Sequence, residues 1–271
     1  MHIIVPIKQV PQSSDVKMDP VTGTMIRSAR SSVLNPLDLY ALEAALHLKD
    51  EHGAQVTVVT MGPPSAVQIL KEALSMGADR AVHLTDRLFG GGDTYATSYV
   101  LSRAIEKIGS FDLVITGERA TDGDTAQVGP GIASWLDLAL ATYVSAIEEV
   151  ANGHLIAERL IEEGYQRVRV SLPALLTVVK EIAIPRLPTL RGKKRAMGKE
   201  IETWDAETIA ADRTKIGLKG SPTRVVKIET PKVARSALIY HADGDEATVQ
   251  ACDHLLDFLQ ERNLLAEVHH G

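Results

Sequence analysis

The sequence predicts an α/β fold in which helices cover both faces of a parallel sheet. Short β-branched runs alternate with longer amphipathic stretches over the first 145 residues. The strand-like runs are apolar almost throughout, which is typical of parallel strands buried on both faces. Ligands of such sheets bind beyond the carboxyl ends of the strands. We therefore expect any binding site at that edge.

The individual elements follow from apolar spacing and from helix-start signals. Asn35 and Pro36 place a capping amide before a residue with preset φ, and apolar side chains then line one helical face from 37 to 48. The predicted strands are 3–7, 55–60, 80–84 and 113–116. The predicted helices are 37–51, 64–76, 94–108 and 125–138.

The pattern changes after residue 140. The turn-forming pairs Asn152-Gly153 and Glu163-Gly164 separate short apolar runs. Together they predict an antiparallel hairpin or meander over 147–171, which is a small antiparallel addition to the sheet. A buried strand is expected next, at 174–178.

Beyond residue 184 most of the periodicity is lost. The exceptions are a strand-like run at 236–240 and an amphipathic helix at 246–262. We therefore expect a main α/β domain over 1–190 and a long C-terminal arm over 191–271. An arm without a core of its own is expected to pack on another subunit.

Composition excludes several classes of protein. A net charge of -6 argues against nucleic-acid binding, which needs clustered positive charge. The single cysteine, Cys252, forms no internal disulfide and completes no cysteine-based metal site, which suits a reducing compartment. No run of 18 apolar residues and no signal-peptide pattern is present. We therefore expect a cytoplasmic protein with no membrane insertion and no metal.

The most informative segment for function runs from 115 to 133, ITGERATDGDTAQVGPGIA. An apolar strand ends at Thr116, a glycine-containing loop follows, and a helix is expected from about Thr125. Free N–H groups at a helix start bind phosphate oxygens, and glycine lets a backbone approach a ligand. The pattern predicts a phosphate-binding loop, although it lacks a Walker lysine. The alternative, in which Asp124 merely caps the helix, stays open.

Two further segments are predicted to lie at the same edge. Pro6-Ile7-Lys8 closes the first strand and Asn35 opens the first helix. If the sheet is doubly wound, these two segments and the end of the fourth strand converge on one crevice. The segment 86–97 is glycine-rich and precedes a helix that Asp93 or Thr94 caps. The residues alone favour its alternative, a flexible loop with a good helix cap.

Together these segments resemble the β subunit of electron transfer flavoproteins. The similarity covers essentially the whole chain, in that family's order and spacing, and the motifs that carry it are 4–11, 35–38, 122–130 and 172–186. The resemblance implies a Rossmann-like domain, of the adenine nucleotide α-hydrolase kind, that binds an adenine nucleotide. It also implies a heterodimer with a larger α subunit that carries FAD, which the C-terminal arm reaches.

In that family the nucleotide on the β subunit is either AMP, which is structural, or a second FAD. FAD makes the complex an NADH-dependent bifurcator that divides electrons between an acyl-CoA dehydrogenase-type partner and ferredoxin or flavodoxin. The segments 19–24, 90–97 and 217–223 are similar to the bifurcating branch, so the resemblance favours FAD. The AMP-binding structural subunit is the alternative. A nucleotide-binding regulatory module is a second alternative, but it has no use for a long arm.

The resemblance also implies site residues, none of them catalytic. Flavin and NADH contacts are expected at Gly91, Asp93, Thr94 and Thr97. The expected nucleotide contacts are Pro6, Asn35, Asp38, Met61, Ala120, Asp122, Gly123, Asp124, Thr125, Ala126, Gln127, Val128, Gly129, Pro130 and Gly131.

Partner contacts are expected at three positions. Leu190 matches the leucine with which the family docks on an acyl-CoA dehydrogenase, and a core leucine is the alternative. Glu162 or Glu163 matches a glutamate that pairs with the α subunit. A turn carboxylate that is simply solvated is the alternative there.

Overall fold

The computed structural model describes residues 1–12, 32–226, 239–262 and 264 of the chain. The chain divides into two compact units, Met1–Val226 and Lys227–Gly271. Residues 191–226, which the sequence analysis assigns to the arm, lie in the first unit. The second unit contains a helix at Asp245–Glu261, close to its predicted bounds. The predicted strand at 236–240 lies largely outside the described residues.

The first unit is built on a mainly parallel sheet, which confirms the predicted fold class. Its strands are β1 (His2–Pro6), β4 (Gln55–Met61), β5 (Arg80–Leu84), β6 (Leu113–Gly117), β7 (Ala139–Ala151), β8 (His154–Ile161), β9 (Gly164–Ser171), β10 (Ala174–Val178) and β11 (Glu202–Trp204), and a separate antiparallel pair is formed by β2 (Gln9–Pro11) and β3 (Ser32–Leu34). Within the described ranges, the order in the sheet is β11-β5-β4-β1-β6-β10-β7-β8-β9. All neighbours from β11 to β7 are parallel, and β8 and β9 add the predicted antiparallel hairpin.

Helices cover both faces of this sheet. They are α1 (Pro36–His52), α2 (Val67–Met76), α3 (Thr94–Ile108), α4 (Val128–Trp135), α5 (Leu190–Met197) and the single turn α6 (Gly217–Gly220). Helices α1 and α2 pack with Ile3 and Val5 in one apolar cluster, whereas α3 and α4 pack with Ile4 in the other. The alternation along β1 places the two clusters on opposite faces. No helix in the described part of the chain is long and apolar enough to span a bilayer.

Regular structure continues past the point where periodicity is lost. The sequence predicts no element between 185 and 230, but α5, β11 and α6 lie there. These elements have three to eight residues, which is too short for a periodic pattern to be recognised. Strand β11 extends the sheet beside β5, where Arg80 Nε lies 2.6 Å from Glu202 Oε1.

Candidate functional site

The winding direction of the chain reverses at the carboxyl edge of the sheet, between β1 and β6, and this place is termed here the crevice. From β1 the chain proceeds outward through β4 and β5, then returns to β6 on the other side of β1 and continues to β10. Ligands of doubly wound sheets bind at this reversal point. Strands β1 and β6 pair only at Ile3–Leu113 and Ile4–Val114. Their ladder therefore ends before their carboxyl ends, and the loops beyond line the opening.

A buried amide holds the loop after β6, residues 118–127. Asn35 Nδ2 donates to the carbonyl oxygen of Arg119 at 2.9 Å, and Asn35 Oδ1 accepts from the N–H of Thr121 at 3.2 Å. The predicted capping of α1 by Asn35 is wrong, because its side chain makes no capping bond and serves the loop instead. Asn35 therefore belongs to the frame of the crevice.

This loop enters α4 through a turn of uncommon backbone geometry. Asp124 and Ala126 have φ values of 52° and 54°, a region that non-glycine residues occupy mainly at special turns. Helix α4 starts at Val128, so the predicted start at Thr125 is wrong, because the left-handed residues interrupt the helix. The N–H groups of Val128 and Gly129 donate to no described residue. Free N–H groups at a helix start suit an anionic oxygen.

Ion pairs line the same loop. Lys8 Nζ lies 2.5 Å from Asp122 Oδ1. Arg119 Nε lies 3.2 Å from Asp124 Oδ1 and 3.4 Å from Glu118 Oε1. Both cations are about half exposed, and pairs of this kind contribute at most about 1 kcal/mol each. An anionic ligand can therefore replace the carboxylate partner of Lys8 or Arg119 with little loss of free energy. The N–H groups at the start of α4 have fixed positions and supply the directional hydrogen bonds.

The glycines of α4 are required by packing within the protein. A Cβ on Gly129 would lie 2.7 Å from Thr177 Cγ2 and 2.9 Å from Thr116 Oγ1. A Cβ on Gly131 would lie 2.6 Å from Ser98 Oγ. Glycine at these two positions lets α4 approach β6, β10 and α3 closely. This close packing places the first residues of α4 at the crevice.

The second glycine-rich loop, residues 90–94, is tied to a distant segment by Asp93. One Asp93 oxygen accepts from the N–H of Ala96 at 3.0 Å and caps α3. The other accepts from the N–H and Oγ1 of Thr223 at 3.0 and 2.7 Å. Burial raises the pKa of Asp93, but these hydrogen bonds outweigh it and hold the pKa below its ordinary value. The ionised carboxylate of Asp93 therefore connects α3 to the segment after α6 by hydrogen bonds.

The two loops also meet each other. Thr94 Oγ1 lies 3.3 Å from Thr125 Oγ1, within hydrogen-bond distance. A Cβ on Gly91 would lie 3.4 Å from Leu218 Cβ, so the loop 90–94 packs on α6. The predicted phosphate loop, the loop 90–94 and the segment 217–223 thus form one wall of the crevice. The sequence pattern by itself does not indicate that these three segments are in contact.

Most of the other expected nucleotide contacts also lie at this edge. Pro6 and Met61 end β1 and β4, and Thr97 lies in the first turn of α3. The loop 118–127 and the first turn of α4 hold Ala120, Asp122, Gly123, Gln127 and Pro130, and Asp38 lies in the first turn of α1. The pair Glu162-Glu163 is exposed in the β8–β9 turn, away from this edge. The segment 19–24 lies outside the described residues.

A stretch termed here the apolar segment, residues 184–197, exposes large apolar side chains. Ile184, Leu187, Leu190 and Met197 are 84–90% exposed. The alternative of Leu190 as a core residue is wrong, because its side chain projects from the first residue of α5 into solvent. Apolar side chains grouped this way are typical of interaction surfaces.

Arg186 anchors the apolar segment to α1. Its backbone N–H and its Nε each donate to Glu43 at 2.9 Å, and its Nη2 donates to Asp50 at 2.9 Å. The Glu43 side chain is only 2% exposed, and His47 Nε2 lies 3.0 Å from it. Sequence reasoning missed this network. The available signal was a glutamate within the otherwise apolar run 41–46 of α1.

Comparison with known proteins assigns the chain to a family. The electron transfer flavoprotein domain family matches residues 22–209. The chain is 45% identical over 266 residues to the electron transfer flavoprotein subunit beta of Thermoanaerobacterium thermosaccharolyticum, covering 98% of this chain and 100% of that protein. It is 45% identical over 276 residues to protein FixA of Azotobacter vinelandii, covering 99% and 98%.

A third relative is named for a complex. The chain is 48% identical over 232 residues to the caffeyl-CoA reductase-Etf complex subunit CarD of Acetobacterium woodii, covering 85% of this chain and 88% of that protein. These matches agree with the resemblance carried by the motifs at the crevice. The chain therefore belongs to the electron transfer flavoprotein β-subunit family.

Proposed function

We propose that this chain is the β subunit of a heterodimeric electron transfer flavoprotein and that the crevice between β1 and β6 holds FAD. The observation that supports FAD over AMP is the joining of the two loops, Thr94 to Thr125 and Asp93 to Thr223. The joined loops extend the crevice wall from the start of α4 to the start of α3. A mononucleotide needs only one such helix start, whereas a dinucleotide reaches further.

The donors at the crevice fit the diphosphate of FAD. The N–H groups of Val128 and Gly129 have no acceptor among the described residues, and Lys8 and Arg119 are held only by exchangeable ion pairs. When bound, FAD supplies hydride acceptance and the release of electrons one at a time. The residues of this chain bind and orient it, and the proposal assigns no proton transfer to a side chain.

The proposal includes NADH as donor and two acceptors, an acyl-CoA dehydrogenase-type partner and ferredoxin or flavodoxin. The name of CarD, a subunit of a caffeyl-CoA reductase-Etf complex, supports a partner that acts on CoA esters. The exposed Leu190 supports an apolar anchor for that partner. We assign the contacts with the α subunit to Glu162 or Glu163, in the exposed β8–β9 turn, and to the predicted arm over 191–271, of which Lys227–Gly271 form a separate compact unit.

Reduction of the flavin by NADH tests this proposal. The chain is co-expressed with its α subunit, and the flavin absorbance of the purified complex is followed anaerobically after NADH is added. We expect the flavin to be bleached. A complex that carries AMP on this chain, and whose flavin NADH leaves oxidised, would identify the alternative, a structural AMP-binding subunit in a one-flavin carrier.

Asp93→Ala probes the joined loops directly. The substitution removes the cap of α3 and the acceptor for Thr223, and displaced binding groups commonly cost about tenfold or more in rate. We therefore expect NADH to reduce the flavin at least about tenfold more slowly. Asp205→Ala is the matched control, because Asp205 accepts from the N–H and Oγ1 of Thr208 at 2.8 and 2.6 Å beside the edge strand β11. It should leave the rate unchanged.

A further inference from the structure

The two strands that flank the crevice lose contact towards their carboxyl ends. Their ladder stops at Ile4–Val114. Beyond that level β1 follows β4, with the N–H of Ile7 donating to the carbonyl oxygen of Val59 at 2.9 Å. Strand β6 instead follows β10 through to its last residue. Among the described residues, β1 and β6 therefore form no register pair beyond Ile4–Val114.

The carboxyl group of Asp38, in the first turn of α1, spans this gap. Its Oδ2 accepts from the N–H of Lys8, two residues beyond β1, at 2.8 Å. The N–H of Gly117, the last residue of β6, also faces the carboxyl group. A Cβ on Gly117 would lie 2.6 Å from Asp38 Oδ1, so glycine is needed for this close approach. Asp38 therefore contacts the ends of both strands. The residue is only 7% exposed to solvent.

We propose that Asp38 is a positioning residue that fixes the width of the crevice between β1 and β6, and through that width the affinity of the chain for a nucleotide diphosphate. The inference rests on the proposed function, because it concerns the same crevice. In this proposal the Asp38 side chain acts through the backbone at Lys8 and Gly117, in place of the direct nucleotide contact that the resemblance implies. Hydrogen bonds weaken steeply with distance and angle, so a small widening of the crevice weakens binding.

The bridge depends on the ionised carboxylate. A carboxylate accepts on both oxygens, whereas the protonated acid presents an O–H donor in place of one acceptor. Burial, partly offset by the hydrogen bonds that it accepts, raises the pKa of Asp38 to about 7. Lys8, whose Nζ is paired with Asp122, is the charged side chain that acts on Asp38 among the described residues. Nucleotide affinity should therefore decrease as the pH falls through about 7.

Titration of the full chain, freed of nucleotide, with FAD at a series of pH values tests the inference. FAD is suitable because its diphosphate lacks the ionisation near pH 6 that a phosphate monoester such as AMP has. The apparent Kd is the intrinsic Kd divided by the competent fraction, so the affinity should fall about tenfold from about pH 8 to about pH 6. An affinity that stays constant across this range overturns the inference.

Two variants and a control sharpen the test. Asp38→Asn keeps the shape of the side chain but sets an amide N–H₂ against one backbone N–H, so we expect roughly tenfold weaker FAD binding at about pH 8 and no pH dependence. Asp38→Glu keeps the titrating group and should retain a pH dependence. Glu51→Gln removes an exposed carboxylate from the same helix and should behave as the wild type. Binding by Asp38→Asn that matches the wild type overturns the inference.

The same titrations separate this inference from the proposed function. If the wild type binds FAD and Asp38→Asn binds it equally well, the inference alone fails. If the wild type binds AMP but not FAD, the proposed FAD-binding function fails, and the inference is decided by comparing Asp38→Asn with Glu51→Gln for AMP at about pH 8, above the ionisation of the ligand. If neither nucleotide binds the wild type, both are overturned.

Discussion

The crevice presents a polar surface, whereas the apolar segment, residues 184–197, exposes large apolar side chains. In both regions a buried carboxylate positions the residues that form the surface. At the crevice, Asp38 accepts a hydrogen bond from the N–H of Lys8 after β1 and lies against Gly117 at the end of β6. At the apolar segment, Glu43 holds Arg186 and so places Leu190, which is 85% exposed. In both regions the residue that fixes the surface differs from the residues that a ligand or partner touches.

The two buried carboxylates differ in what compensates their charge. Glu43 is met by the guanidinium of Arg186, a partner that stays charged at any relevant pH. Asp38 is met chiefly by neutral N–H groups, and the cation near it is already paired with Asp122. The crevice should therefore respond to pH near neutrality, whereas the charge of Arg186 at the apolar segment stays constant.

The largest expected effect is a pH dependence of stability that Asp38 alone confers. Between about pH 4 and pH 7 the folded chain keeps a proton on Asp38, with its pKa of about 7, that the unfolded chain, with the ordinary value of 3.8, has released. The free energy of unfolding of the wild type, relative to Asp38→Asn, should therefore fall by about 2–3 kcal/mol from about pH 5 to pH 8. Urea unfolding of both proteins measures this difference. A difference that rises with pH contradicts the account.

Removal of the Arg186 guanidinium should destabilise the fold slightly less than this. Arg186→Met leaves the buried Glu43 with His47 alone, and we expect a loss of about 2 kcal/mol, below the full cost of breaking a buried pair because Arg186 is partly exposed. Arg167→Met is the control, since its pair with Glu148 is exposed and should contribute less than about 0.5 kcal/mol. Equal losses in urea unfolding would refute the anchoring role.

Tight helix packing at the crevice gives the third effect. Gly129→Ala places a Cβ 2.7 Å from Thr177 Cγ2, and overpacking of this kind costs about 1–2 kcal/mol and displaces the start of α4. We therefore expect lower stability together with weaker nucleotide binding, measured by thermal unfolding and by FAD titration. Gly198→Ala is the control, because the nearest atom to its Cβ would be Arg195 O at 3.8 Å. Unchanged FAD binding in Gly129→Ala would contradict the role of this packing.

The smallest effect on stability should accompany a measurable effect on function. Thr94→Val removes the hydroxyl that meets Thr125, and an exposed neutral hydrogen bond of this length contributes about 0.5 kcal/mol or less. Reduction of the flavin by NADH should nevertheless slow several-fold, because the joined loops separate. Thr208→Val, which removes a hydroxyl bonded to Asp205, should change stability by a similar amount and leave the rate alone. Equal rates in the two variants would argue against a shared crevice wall.

Much of the α/β framework could be predicted because local signals mark its elements. Strand β5 and helix α3 have the predicted bounds. Asp93 caps α3 as the sequence indicates, and Gly109 follows its last residue. The position of the crevice agrees with the expectation that, in a doubly wound sheet, the ends of the first and fourth strands converge.

Features that depend on tertiary contacts could not be predicted. The left-handed residues before α4 are an aspartate and an alanine, Asp124 and Ala126, and no glycine marks them. The three-residue strand β11 forms only beside β5. The bridge made by Asp38 joins backbone groups that are far apart in sequence, so the pattern indicates an acidic residue near a helix start and nothing of its partners. Gly129 and Gly131, which the resemblance places at the nucleotide, are also required by packing against β6, β10 and α3, and no local pattern indicates that packing.

The most direct test of the account is the identity and number of nucleotides in the complex of this chain with its α subunit. The complex is purified without added nucleotide and denatured, and the released nucleotides are separated and counted against protein. The account predicts two FAD molecules in each heterodimer and no AMP. One FAD together with one AMP would contradict it.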